Sequence, residues 1–201
     1  MNVNILLFSD FETLDAFGTV EVLGRMEKCR LRMEKCRLRF VSANGGIIKS
    51  SQGVPIVTEA LENVDYSGIL LVPGGQGTRH LINDNKFIEK LYDIAFQSQY
   101  CLTVCTGSAL LAKTNLLNGL KATSNKRAFD WVQSVNSEVK WISHARWVVD
   151  GKFYTSSGVS AGIDMALGFI SDRFGIEKAT ELAQSIEYIW NSKKENDLFG
   201  K

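Results

Sequence analysis

Short apolar runs that stop abruptly at small or polar residues, each followed by a stretch of helical spacing, constrain this chain most. Val3-Asn-Ile-Leu-Leu-Phe8 ends at Ser9-Asp10, and Ile69-Leu-Leu-Val72 ends at Pro73-Gly74-Gly75. Tyr100 to Val104 runs directly into Cys105-Thr106-Gly107 and a helical segment from Ser108 to Lys113. Runs this short and this apolar read as strands buried on both faces.

Helical periodicity fills the intervals. Leu14, Phe17, Val20 and Leu23 mark one helix from Leu14 to about Arg32, and a second spans Phe87 to Phe96. Another runs from about Lys126 or Arg127 to Val135, and two closing helices cover Ala161–Phe174 and Ile176–Asn191, separated by Gly175. Leu38 to Ala43 is strand-like before the Asn44-Gly45-Gly46 turn, and Gly53 to Val57 is a short extended piece. Asp150-Gly151 between Ala145–Val149 and Lys152–Thr155 predicts one β-hairpin. Alternating strands and helices predict a three-layer α/β sandwich with a mostly parallel sheet, one antiparallel hairpin, and an active site at the carboxyl ends of the strands.

With 201 residues, one domain is expected, large enough to fold without disulfides or metal. The 23 basic and 22 acidic residues leave a net charge of +1, which gives no field for nucleic acid or anionic membrane. No apolar run reaches the roughly 18 residues of a membrane span, and the N-terminus lacks the marks of a signal peptide. The four cysteines are expected as free thiols in a cytoplasmic protein. Two of them, Cys29 and Cys36, are copies of one position, because Met26–Arg32 is repeated at once as Met33–Arg39. Seven residues turn a helix through nearly two full turns, so the 26–39 duplication is expected to extend the first helix or its following loop with the apolar face in register.

Three strand ends carry chemistry: Ser9–Asp15, Pro73–Gly77 and Cys105–Gly107. Cys105, between a strand and a helix, has the setting of a nucleophile elbow, where a helix N-terminus favours thiolate. A buried structural cysteine is the plainer reading of such a residue, and it is the reading taken for Cys101. The glycines after Val72 suit backbone donors for an oxyanion, or only a turn. Asp15 is either a helix cap or a carboxyl group pressed against Cys105, with its proton held by a neighbouring thiolate. Glu12 is expected to face solvent. The two histidines, His80 and His144, sit in no dyad position and are expected at the surface or in packing. No metal-ligand motif is present.

Taken in order, Leu7-Phe8, Leu14-Asp15, Val72-Pro73-Gly74-Gly75 and Val104-Cys105-Thr106-Gly107-Ser108 resemble the ThiJ/PfpI superfamily, of the class I glutamine amidotransferase-like group. So do Arg146-Trp147-Val148, Asp150-Gly151 and the segment from Thr155 to Asp164. The resemblance is nearest to the isonitrile hydratase branch and runs from residue 3 to about residue 190. It implies a flavodoxin-like sandwich, usually a homodimer, with Cys105 as nucleophile, Asp15 contacting it and Thr106 serving the site. Backbone N–H groups near Gly74, Gly75 and Thr106 would surround the bound carbon or oxyanion. The implied reaction adds water to an isonitrile, a small electrophilic substrate, through a thioimidate to an N-substituted formamide, with no cofactor. Two features depart from the pattern: Asn125 stands where many relatives have a histidine, and the 26–39 duplication falls between the first helix and the second strand.

Other readings stay open beside the hydratase. One is a glyoxalase or deglycase acting on 2-oxoaldehydes, disfavoured by the missing histidine. Another is a stress protein in which Cys105 is oxidised without turnover. A ligand-sensing domain of a DNA-binding regulator fits poorly, since the chain as given leaves no room for a helix-turn-helix pair.

Overall fold

The computed structural model describes residues 2–26 and 37–200. Strands β1 (Asn2–Leu6), β2 (Arg37–Ser42), β5 (Ile69–Val72), β6 (Tyr100–Val104) and β10 (Phe153–Ser156) form the parallel centre of an eight-stranded sheet. With β3 (Gly46–Lys49), β4 (Pro55–Ala60) and β9 (Trp147–Asp150) added, its order is β3-β4-β2-β1-β5-β6-β10-β9. All four residues of β5 are fully buried, each contributing about 2 kcal/mol of burial. Helices α1 (Thr13–Gly24), α6 (Ala161–Phe174) and α7 (Ile176–Ser185) pack on one another over one face. The other face carries α2 (Thr78–Leu81), α3 (Asn85–Gln97), α4 (Gly107–Lys113) and α5 (Phe129–Val135). The α3 boundary is sharp because Asp84 caps it, accepting from Phe87 N–H at 3.1 Å. The flavodoxin-like three-layer sandwich with a mostly parallel sheet is therefore the fold.

Strand order reverses between β1 and β5: β2 and β4 (Pro55–Ala60) lie beyond β1, while β6 and β10 lie beyond β5. Loops after β1, β5 and β6 thus converge at one end of the sheet, as expected of a topological switch point.

Three expectations need correction. The sheet has two antiparallel pairs: β9 (Trp147–Asp150) with β10, across the Asp150-Gly151 turn, and β3 (Gly46–Lys49) with β4 at the opposite edge. The edge strand β3 is mostly exposed, and Ile47-Ile48 is too short an apolar run to mark it. Helix α1 stops at Gly24, and Arg25 closes it with its N–H on Leu23 and Val22 carbonyls. The duplication starts after that end, and its bulk, residues 27–36, lies outside the described residues. Helix α7 ends at Ser185 instead of Asn191, because Glu187 takes φ 52° and Tyr188 N–H turns back to Ala183 O.

The segment after α7 is held by one buried acid. Asp164 accepts from Tyr188 Oη (3.2 Å), Asn191 N–H (3.0 Å) and Arg146 Nε (2.6 Å). Arg146 also lies 3.8 Å from Asp197, so the C-terminal strand of chain is strapped over the loop before β9. A short pair, β7 (Lys121–Ala122) with β8 (Lys140–Trp141), lies beside it.

Candidate functional site

Where β6 gives way to α4, Cys105 takes φ 57°, a left-handed conformation rare for a residue with a side chain. The surroundings over-determine it. Its N–H is shared between Ser156 and Ser157 carbonyls at 3.2 Å each, and its carbonyl accepts from Ser124 Oγ at 2.8 Å and Ser108 Oγ at 3.1 Å. Strain that persists under such restraint is typical of reacting residues. The elbow puts the sulfur into a pocket of about 500 Å³ with Thr106, Gly75, Glu12, Arg79, Asn125 and Arg127 among its walls.

Asp15, in the first turn of α1, is fully buried against this sulfur. Oδ2 accepts from Gly74 N–H at 2.9 Å, while Oδ1 has no hydrogen-bond partner of regular geometry among the described residues. Burial pushes the carboxyl up to about 8, against the pull of the Gly74 N–H, and Glu12 adds to the rise. The proton on Asp15 is thus held chiefly by desolvation, not by a neighbouring thiolate.

The thiolate expected at Cys105 is also corrected. Burial first, and then the charge of Asp15, push its thiol well above the ordinary range. The Thr106 N–H and the Asn125 side chain pull the other way and lose. A helix start only seven residues long cannot offset loss of water around the sulfur. Burial acts on both groups in the same direction, favouring a thiol beside a carboxylic acid at neutral pH.

Gly74 and Gly75 lie where a side chain cannot. A Cβ on Gly74 would come within 2.6 Å of Thr106 N and 2.9 Å of Asp15 Oδ2, and Gly75 has φ 128°. Both N–H groups are engaged in this structure: Gly74 with Asp15, and Gly75 with Thr106 Oγ1 at 3.1 Å. Thr78 Oγ1 also lies 3.1 Å from Thr106 Oγ1 and donates to Gly75 O at 2.7 Å. The Thr106 hydroxyl therefore locks the glycine loop, and the Thr106 main chain faces the sulfur.

Glu12, expected in solvent, instead forms part of the pocket wall, with Gln52 Nε2 donating to both its oxygens at 3.0 and 3.1 Å. No local signal marks this, because Gln52 is 40 residues away. Arg79 reaches the pocket from α2 with its guanidinium 3.6 Å from the Trp131 ring centroid. Neither histidine lines this pocket; both are exposed, and His80 borders a separate cleft below β1 and α3. Cys101 is buried, its thiol donating to Ala95 O at 3.3 Å and pushed up to about 12 by burial. Among the described residues, no group of three or more His, Cys, Asp or Glu is gathered to hold a metal ion, and no helix is long and apolar enough to cross a membrane.

A strained elbow cysteine, a buried acid and a glycine loop at a sheet's switch point coincide with a match of residues 1–172 to the DJ-1/PfpI family model. The chain belongs to the DJ-1/PfpI family. Among its DJ-1/PfpI relatives, isonitrile hydratase of Pseudomonas putida is 29% identical over 189 residues, 94% of this chain and 78% of that one. The transcriptional regulator GbdR of Pseudomonas aeruginosa is 27% identical over 93% of this chain, which spans only 50% of the regulator. A ThiJ/PfpI protein structure from Pseudomonas syringae superposes with a TM-score of 0.81 at 24% identity, covering 93% of this chain and 74% of the other. The DJ-1/PfpI family thus holds both enzymes and regulators, and the site chemistry must distinguish them.

Proposed function

We propose that this protein is a cofactor-free cysteine enzyme that hydrates isonitriles or a closely similar small electrophile. The observation that carries the reading is the contact between the buried Asp15 carboxyl and the Cys105 thiol, two protonated groups on one carboxyl–sulfur pair. An isonitrile carbon both accepts a proton and is attacked by sulfur, so it needs such a pair. Asp15 gives its proton to the terminal carbon and takes the thiol proton as sulfur bonds to that carbon. The product is the thioimidate R–N=CH–S–Cys105. Water then adds to the same carbon, its proton reaching nitrogen through Asp15. The resulting tetrahedral adduct expels the sulfur, which regains a proton, and releases R–NH–CHO.

In this scheme Cys105 and Asp15 are catalytic. The Thr106 N–H faces the sulfur as charge moves onto it. Gly74 and Gly75 position rather than bind: one anchors Asp15 Oδ2, the other Thr106 Oγ1. The family resemblance carries a homodimer as well, for which sedimentation at twice the chain mass is the check.

A 2-oxoaldehyde enzyme is less well supported, because neither histidine reaches the pocket. An oxidation sensor is disfavoured by the buried, high-pKa thiol, since sensor cysteines are exposed and readily ionised. The test is intact mass after brief exposure to an isonitrile at low temperature. An adduct equal to the isonitrile mass, mapped to Cys105 and absent from Cys105→Ala, is expected; an unmodified Cys105 with no product would end the reading.

A further inference from the structure

Asn125, at the turn that leads into α5, has its amide orientation fixed by its neighbours. Oδ1 accepts from Arg127 N–H at 2.9 Å and Ala128 N–H at 3.1 Å, capping the turn that leads into α5. Two main-chain donors on one atom mean that atom is the oxygen, since a reversed amide would set N–H against N–H. Nδ2 must therefore point the opposite way, into the pocket. It packs against Gly158, where a Cβ would overlap it, and the same Cβ position lies 3.3 Å from Cys105 Sγ. Amide nitrogen and sulfur thus share one patch beside a glycine that leaves room for both.

We infer that Asn125 is a catalytic residue that donates an Nδ2–H to the Cys105 sulfur when negative charge develops there. Sulfur carries that charge twice in the proposed cycle: as its proton passes to Asp15, and as it leaves the tetrahedral adduct. The inference rests on Cys105 being the reacting atom, and it adds a donor the backbone does not supply. An amide donates at every pH and takes up no proton, so it assists sulfur without acting as a second base beside Asp15. Lys126, the next residue, keeps the loop in place: its buried Nζ donates to Thr123 Oγ1 at 2.7 Å and Ala145 O at 2.6 Å. Asp15 from α1 is the charged group acting on the sulfur, and Glu12, Arg79 from α2 and Arg127 line the same pocket.

Capping and donation can be separated by substitution. Asn125→Asp and Asn125→Ser both keep an oxygen able to cap the turn, and both remove the N–H at sulfur. Iodoacetamide alkylation of the Cys105 peptide, quantified by mass spectrometry across neutral to alkaline pH, reports the thiol directly and needs no isonitrile. Both variants are expected to slow alkylation about tenfold at each fixed pH, where the rate follows the small thiolate fraction, displacing the rate profile by about one pH unit. The Asp variant shifts at least as far, because it sets a like charge beside the developing thiolate. Profiles superimposable on the wild type in folded variants would reduce Asn125 to a cap; should the Asp variant fail to fold, the neutral Ser variant decides. Formamide release measured on the same samples separates the two ideas. A shifted profile without turnover in the wild type removes the hydratase reading and leaves the donor, whereas unshifted profiles remove the donor alone.

Discussion

The Gly74 N–H holds Asp15 Oδ2 at 2.9 Å, which leaves the other carboxyl oxygen as the one available to the Cys105 sulfur. In the proposed cycle, a single main-chain donor thereby sets which oxygen exchanges protons with the Cys105 thiol. The glycine is required for this, since any Cβ there would strike both Thr106 and the carboxyl itself.

Asp15 makes stability depend on pH in a defined direction. Its folded pKa, about 8, lies above the unfolded value of 3.8, so its contribution is complete below 3.8 and is lost as pH rises through about 8. Within that window the wild type loses up to about 1.4 kcal/mol per pH unit relative to Asp15→Asn, which cannot ionise. Urea unfolding of both proteins at several pH values is expected to show Asp15→Asn gaining on the wild type from acid to mildly alkaline pH. Parallel curves would mean that Asp15 is not buried in the way described.

In the proposed cycle the same proton governs turnover. If the acid form of Asp15 starts the reaction, as proposed, kcat/KM with an isonitrile is expected to fall as pH rises through about 8, and Asp15→Asn to lose at least about 100-fold at neutral pH. A wild-type profile that rises through this region would assign the controlling ionisation to Cys105 instead.

At φ 57°, Cys105 stores backbone strain that glycine would not feel. Cys105→Gly is expected to be more stable than Cys105→Ala by about 1 kcal/mol, with both inactive. Thermal unfolding of the two variants checks the order; a more stable alanine variant would contradict the left-handed elbow.

Asp164 is a scaffold residue, fully buried and paired with Arg146. Asp164→Ala leaves that buried guanidinium with only the longer contact to Asp197 and releases Tyr188 and Asn191, so a loss of about 3 kcal/mol is expected. Hydrogen exchange at the Asn191 amide should quicken with it. Unchanged stability would show that the strap over residues 191–197 is held by other contacts.

What was legible in the sequence is what is local. Buried strands such as Ile69–Val72 announce themselves by composition, and the Val104-Cys105-Thr106 junction shows a nucleophile elbow because strand, cysteine and helix are contiguous. Strand β3 escaped because an exposed edge strand needs no apolar signature. Glu12 escaped because its position depends on Gln52, and the end of α7 because residues beyond it are recruited by Asp164, more than 20 residues earlier. The protonation of the Asp15–Cys105 pair was hidden for a related reason. A helix start is visible in sequence, but the depth of burial that outweighs it arises only from packing.

The most direct test follows formamide appearance from a simple alkyl or aryl isonitrile, with Cys105→Ala alongside. Formamide from the wild type and none from the variant is the expected result. Equal release by both proteins, or none from a folded wild type whose Cys105 still alkylates, would contradict isonitrile hydration through this cysteine.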